Sequence, residues 1–146
     1  LVGGALVLAA AAAVVFWPRT VRIDATDRAL VARGEPLYRQ HCASCHGARL
    51  EGQPDWQSRN ERGRLPAPPH DDSGHTWHHP DEILFGLTKE GLVPGKYGPP
   101  GYVSDMPAFR GALSDEDIAA ALSFIQSRWS PEVRRARGEM LRNRSR

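Results

Sequence analysis

The chain has 146 residues, with 19 Lys and Arg against 17 Asp and Glu for a formal net charge of +2. That length suits one domain with appendages and excludes a large multidomain enzyme. The near balance of charge, with no basic patch interleaved with aromatics, argues against a nucleic-acid binder. Fifteen of the first 17 residues are hydrophobic, so the rest is short of core, and 14 glycines with 12 prolines require long loops held by something besides secondary structure.

Residues 1–17 (L-V-G-G-A-L-V-L-A-A-A-A-A-V-V-F-W) carry no charge. As a helix they would reach about 25 Å, the short end of a membrane span. The alanines run into Val14, Val15, Phe16 and Trp17 and not into a small-residue cleavage site, which favours a retained anchor over a cleaved secretory signal. Either reading sends the remainder across a membrane. Residues 18–27 then form a short polar tether.

The only cysteines are Cys42 and Cys45, in H-C-A-S-C-H-G over residues 41–47. The spacing C-x-x-C-H is the attachment signature of c-type haem: two thiols two residues apart can add to both vinyl groups of one haem, and His46 then offers a nitrogen to the iron. Three other readings were open to these residues. Zinc would need two more ligands, for which His75 and His79 follow at too long a gap. A thioredoxin-like dithiol wants a βαβ setting that the pattern does not offer, and a disulfide would close only a tiny loop.

With A-R-G-E-P-L-Y-R-Q-H-C-A-S-C-H-G (residues 32–47), S-D-M-P-A-F (104–109) and L-S-D-E-D-I-A-A-A-L-S-F-I-Q-S-R-W (113–129), the chain resembles class I cytochromes c, particularly the bacterial membrane-anchored monohaem kind. The resemblance covers about residues 30–129. It implies a mainly α fold, a cytochrome c-like haem domain over residues 28–130, following a transmembrane or signal helix. It further implies one covalently bound haem c, with Cys42 and Cys45 as attachment points.

The resemblance makes Met106, followed by Pro107, the distal ligand opposite His46. The Gly/Pro-rich run 91–111 around it could wrap a flat cofactor, whereas the other methionine, Met140, lies in an Arg-rich segment. His70, His75, His78 and His79 are the rivals for that position. Two protein axial ligands would leave no open iron site, so electron transfer and not catalysis is expected. In L-P-A-P-P (65–69), the resemblance implies a proline carbonyl accepting the haem histidine's N–H; Pro68 is the candidate and Pro66 the second.

Three helices are expected. The first leads into the cysteine motif, where Pro36 predicts a kink or a restart near Glu35. The second lies between Pro80 and Glu90, with Gly91 as its stop. The third opens on Ser114 with Asp117 as a capping box, and its apolar stripe of Ile118, Ala121, Leu122, Ile125 and Trp129 ends before Pro131. The resemblance implies that the first and last helices cross, with Gly34 and Tyr38 meeting Phe124 or Ile125.

Two segments stay outside this account. Residues 70–79 (H-D-D-S-G-H-T-W-H-H) could hold copper or zinc, or simply be solvated, and Trp77 could cover the haem or its propionates. Residues 131–146 read as a basic tail. Residues 130–146 hold six arginines against two glutamates and could touch anionic lipid or an acidic partner.

The expected function is therefore single-electron transfer by one His/Met-ligated haem c in a bacterial respiratory or periplasmic chain. The expected partners are redox proteins or a membrane oxidoreductase complex. The expected place is the inner membrane with the haem domain in the periplasm, or the periplasm itself after signal cleavage. The alternatives are a haem sensor or weak peroxidase, and a copper- or zinc-handling protein using the His-rich loop.

Overall fold

The computed structural model describes residues 21–144, and these are mainly helical. The apolar run 1–17 lies outside the described residues. No described helix is long and apolar enough to cross a membrane. Five α-helices follow one another: α1 (Arg28–His41), α2 (Ala43–His46), α3 (Asp81–Glu90), α4 (Asp115–Ser127) and α5 (Pro131–Arg144). A single 3-10 turn, Thr76–His78, interrupts the loop before α3.

The termini of α1 and α4 carry their expected chemistry. The Asp27 carboxylate accepts from Ala29 N (3.0 Å) and Leu30 N (3.1 Å), which satisfies two of the orphan amides at the start of α1. Arg39 and His41 in its last turn complement the helix dipole. At α4 both halves of the Ser114–Asp117 capping box are present, with Asp115 and Glu116 adding negative charge to the first turn.

Pro36 does not restart α1. The helix runs unbroken through it. Both Pro36 and Ala32, whose carbonyl loses its partner, lie on the exposed face, so water can take the place of the missing amide.

The core is the crossing of α1 with α4. Gly34 is what lets them approach: a Cβ there would lie 1.9 Å from the Ala120 carbonyl oxygen and 2.9 Å from Phe124 Cβ. One turn further on, the fully buried Tyr38 ring packs 5.5 Å from that of Phe124. Every residue of α4 from Ile118 to Gln126 is buried. Ser123, also fully buried, donates to Ala119 O (2.7 Å) and accepts from Asp24 N (2.9 Å), which pins the incoming chain to the middle of α4.

The last basic segment is not a free tail. Residues 131–144 form α5, with Pro131 in the first-turn position that suits its missing N–H. Arg137 is 7 % exposed. Its guanidinium donates to Trp77 O (2.8 Å), His79 O and Asp81 Oδ1 (2.6 Å), and it lies 5.3 Å from the Trp129 ring centre. Asp81 also receives Gln126 Nε2 at 2.6 Å. Thus α5, the end of α4 and the turn before α3 are tied at one point.

Candidate functional site

The cysteine motif begins where α1 ends. Cys42 N still bonds to Tyr38 O (2.9 Å), and Cys45 N (3.1 Å) and His46 N (2.9 Å) return to Cys42 O, so the motif is one tight helical turn with its two thiols a turn apart. Gly47 stops it at φ 83°, a conformation that glycine enters without strain. The two cysteines are not joined in a disulfide. Cys42 is half-buried and Cys45 exposed, and burial pushes the Cys42 thiol up to about 11.

His46, the last residue of this turn, is buried. Its Nδ1 lies 2.8 Å from Pro68 O; a carbonyl only accepts, so Nδ1 carries the proton and Nε2 keeps the lone pair that a metal needs. Burial pushes the imidazole's pKa down, partly opposed by the Pro68 bond. The buried Tyr38 hydroxyl donates to the backbone just after the ring, at 2.8 Å to Gly47 O and 3.3 Å to His46 O.

Pro68 is brought there by a loop that folds back on itself. Gly52 N bonds to His46 O (2.8 Å), Gln53 N to Ala67 O (2.9 Å), and the Gln53 side chain accepts from Ala67 N (2.8 Å). The buried Leu50 takes a left-handed backbone, φ 69°, rare for a branched residue. Its carbonyl receives the amides of His70 (2.8 Å) and Asp71 (3.3 Å).

Among the rival histidines, His70 has a defined place. Its ring stacks on His46 with centres 3.9 Å apart and planes at 20°. Two ligands on opposite faces of one iron would point their nitrogens at each other across the metal, so this face-to-face pair does not make His70 the ligand opposite His46. His75 and His79 have ring centres 5.4 Å apart, with Trp56 stacked on His75 at 5.3 Å. Among the described residues, no three His, Cys, Asp or Glu side chains converge as a metal site.

Met106 is half-buried against the same core cluster that contains Tyr38, Leu50, Phe109 and Trp129 and that Cys42 and Trp77 also touch. Its N–H donates to Ser104 Oγ (3.0 Å). The loop that carries it is held at α3: Phe109 N and Arg110 N bond to Thr88 O (3.1 Å) and Lys89 O (2.9 Å), which caps the free carbonyls of that helix.

A haem fits these residues. A thiol pair one turn apart precedes an imidazole with one nitrogen fixed by a carbonyl, and a thioether packs on the same core cluster that Cys42 touches. The Trp77 Nε1–H is buried and unpartnered, an orphan donor of the kind that a cofactor carboxylate would satisfy.

Sequence reasoning missed Arg137 and the His46–His70 stack. Arg137 sits among five other arginines that look alike in sequence; only its place on an α5 face distinguishes it. His70, which directly follows the proline run, was read only as a rival distal ligand and a member of the His-rich segment.

No curated protein and no solved structure matches the chain. The cytochrome c family profile matches residues 31–129, more than half of its length. The chain belongs to the cytochrome c family, whose domain binds haem c and serves electron transfer.

Proposed function

We propose that this chain is a one-haem electron carrier in which Cys42 and Cys45 fix the haem covalently and His46 and Met106 are the axial ligands. The observation that carries the proposal is the 2.8 Å contact of His46 Nδ1 with Pro68 O directly after a C-x-x-C-H turn. It leaves Nε2 free for the metal and makes the imidazole electron-rich. The haem supplies the one-electron couple; the protein's own residues hold, bury and orient it.

The chain's contributions differ by side. On the His46 side the Pro68 carbonyl holds a proton on Nδ1 and thereby stabilises the ferric state. On the other side a neutral Met106 sulfur favours the ferrous state and raises the potential. The buried, unpartnered Trp77 Nε1–H would offer a hydrogen bond to a haem carboxylate. Were His46 and Met106 both to ligate the iron, small ligands and peroxide would find no open site, which favours an electron carrier over an enzyme.

We place this carrier in a bacterial envelope, held to the inner membrane by residues 1–17 with the haem domain in the periplasm, and exchanging electrons with a redox protein or a membrane oxidoreductase complex. The uncharged run ending in Trp17 supports the anchor.

The test is an absorption spectrum and a denatured-haem assay on protein made with c-type maturation machinery, compared with Met106→Ala. Covalent haem in both, with the long-wavelength iron–sulfur band of the ferric state lost only in the variant, is the expected result. Unchanged ligation in the variant would remove Met106, and no covalent haem would overturn the proposal.

A further inference from the structure

We infer that His70 is a positioning residue for His46: a locked aromatic plate that fixes the plane of the ligand imidazole and keeps water from its bond to Pro68. The inference rests on the proposed haem function. It concerns a residue to which the motif gives no role.

Three observations carry it. The rings are near parallel and 3.9 Å apart, so His70 covers one face of His46 and blocks rotation about its Cβ–Cγ bond. A contact with the face leaves the in-plane approach to Nε2 clear. His70 is itself immobilised at four points. Its N–H donates to Leu50 O (2.8 Å), its carbonyl accepts from Trp129 Nε1 (2.8 Å), its ring meets Tyr38 edge-on at 6.4 Å, and its Nδ1 lies 2.7 Å from Thr76 Oγ1. Finally, the buried Thr76 hydroxyl lies between His70 Nδ1 (2.7 Å) and Pro69 O (3.3 Å), which ties the ring edge to the segment that carries Pro68.

The backbone supports the same reading. Leu50 holds a left-handed conformation at φ 69°, and its carbonyl receives the His70 amide. A strained, buried residue that persists at such a point is over-determined by its surroundings. Pro68 and His70 are two residues apart, so the group that bonds His46 in its plane and the group that covers its face come from one short rigid segment.

Loss of the plate frees the ring and wets the Pro68 bond. The ligand becomes less electron-rich, the ferric state loses stabilisation, and the midpoint rises. In the holoprotein, His70→Ala should raise the reduced-to-oxidised ratio at fixed potential about tenfold, a 59 mV shift for one electron. It should also change the ferric EPR g-values, which report the ligand plane. Thr76→Val, a gentler change that keeps the ring and releases its Nδ1, should move both readouts the same way by about threefold. His70→Phe, which restores a flat ring, should return both toward the parent.

Parent-like midpoints and g-values in both His70→Ala and Thr76→Val would overturn the inference. So would a His70→Phe shift as large as that of His70→Ala, since the polar imidazole and not the stacked plate would then be responsible. Absence of covalent haem from the parent in the denatured-haem assay would overturn this inference and the proposed function together; haem present with unmoved readouts overturns the role of His70 alone.

Discussion

The α1–α4 crossing and the loop of residues 47–80 hold the cysteine-motif turn from two sides by different physics. At the crossing, two regular helices satisfy their own backbone, and the contact is decided by side-chain volume: a glycine at position 34, aromatics at 38 and 124. In the loop there is little regular structure. Its order comes from single hydrogen bonds, some between backbone groups such as His70 N with Leu50 O, others from side chains such as Gln53 with Ala67, Trp129 with His70 O and Arg137 with Trp77 O. The crossing should therefore fail by overpacking and the loop by an unsatisfied polar group, with different magnitudes.

The largest effect is expected at the crossing. Gly34→Val forces a Cβ into the Ala120 carbonyl and should cost about 3 kcal/mol or more, read as a collapse of the denaturation midpoint or as failure to mature. In the loop, Arg137→Met keeps the stem's volume near Trp129 but leaves the Trp77 and His79 carbonyls without their donor. A loss of about 2 kcal/mol is expected by urea unfolding. Tyr38→Phe belongs to both regions, since its ring packs in the crossing and its hydroxyl bonds Gly47 O; with packing kept, about 1–2 kcal/mol should be lost. Ser114→Ala removes one half of a capping box and should cost about 1 kcal/mol, with the spectrum of the site unchanged.

The smallest effect separates the regions by pH. Burial holds the His70 imidazole well below its ordinary value of 6.5, so the unfolded chain takes up a proton that the folded one refuses. Stability is then full above pH 6.5 and is lost as pH falls below it. Unfolding midpoints measured between pH 7.5 and pH 5 should decline in the parent and decline less in His70→Phe. Around α4 the sign is the same but the window lower: Ser114 and then Arg33 hold the Asp117 carboxyl below its usual 3.8, so its contribution is kept above pH 3.8 and lost on further acidification. Asp117→Asn should flatten only that lower part of the profile.

The same contrast explains what could be read from the chain alone. The helices at 81–90 and 115–127 announce themselves through Gly91, the Ser114 box and a 3.6-residue stripe, because helix physics is local. Gly34, Tyr38 and Phe124 followed from the resemblance and meet as it implied. At Pro36 the restart that a local rule allowed does not occur, because the cost of a missing bond depends on whether water reaches the carbonyl, and that is a property of the fold. The Cys42, Cys45 and His46 turn is local and was legible, and the contact with Pro68 was found through the resemblance. The partners of His70, Trp77 and Arg137 lie up to 60 residues away, and no spacing rule connects them.

Ser123 gives the domain a mechanical property as well. Because the Asp24 amide is fastened to its hydroxyl, and that hydroxyl to Ala119 O, tension along the N-terminal segment enters the middle of α4 and spreads into the helix pair locked around Gly34. The same segment is covalently continuous with α1, so the load is shared between the two helices that cross at Gly34 before it reaches the cysteine motif at the end of α1.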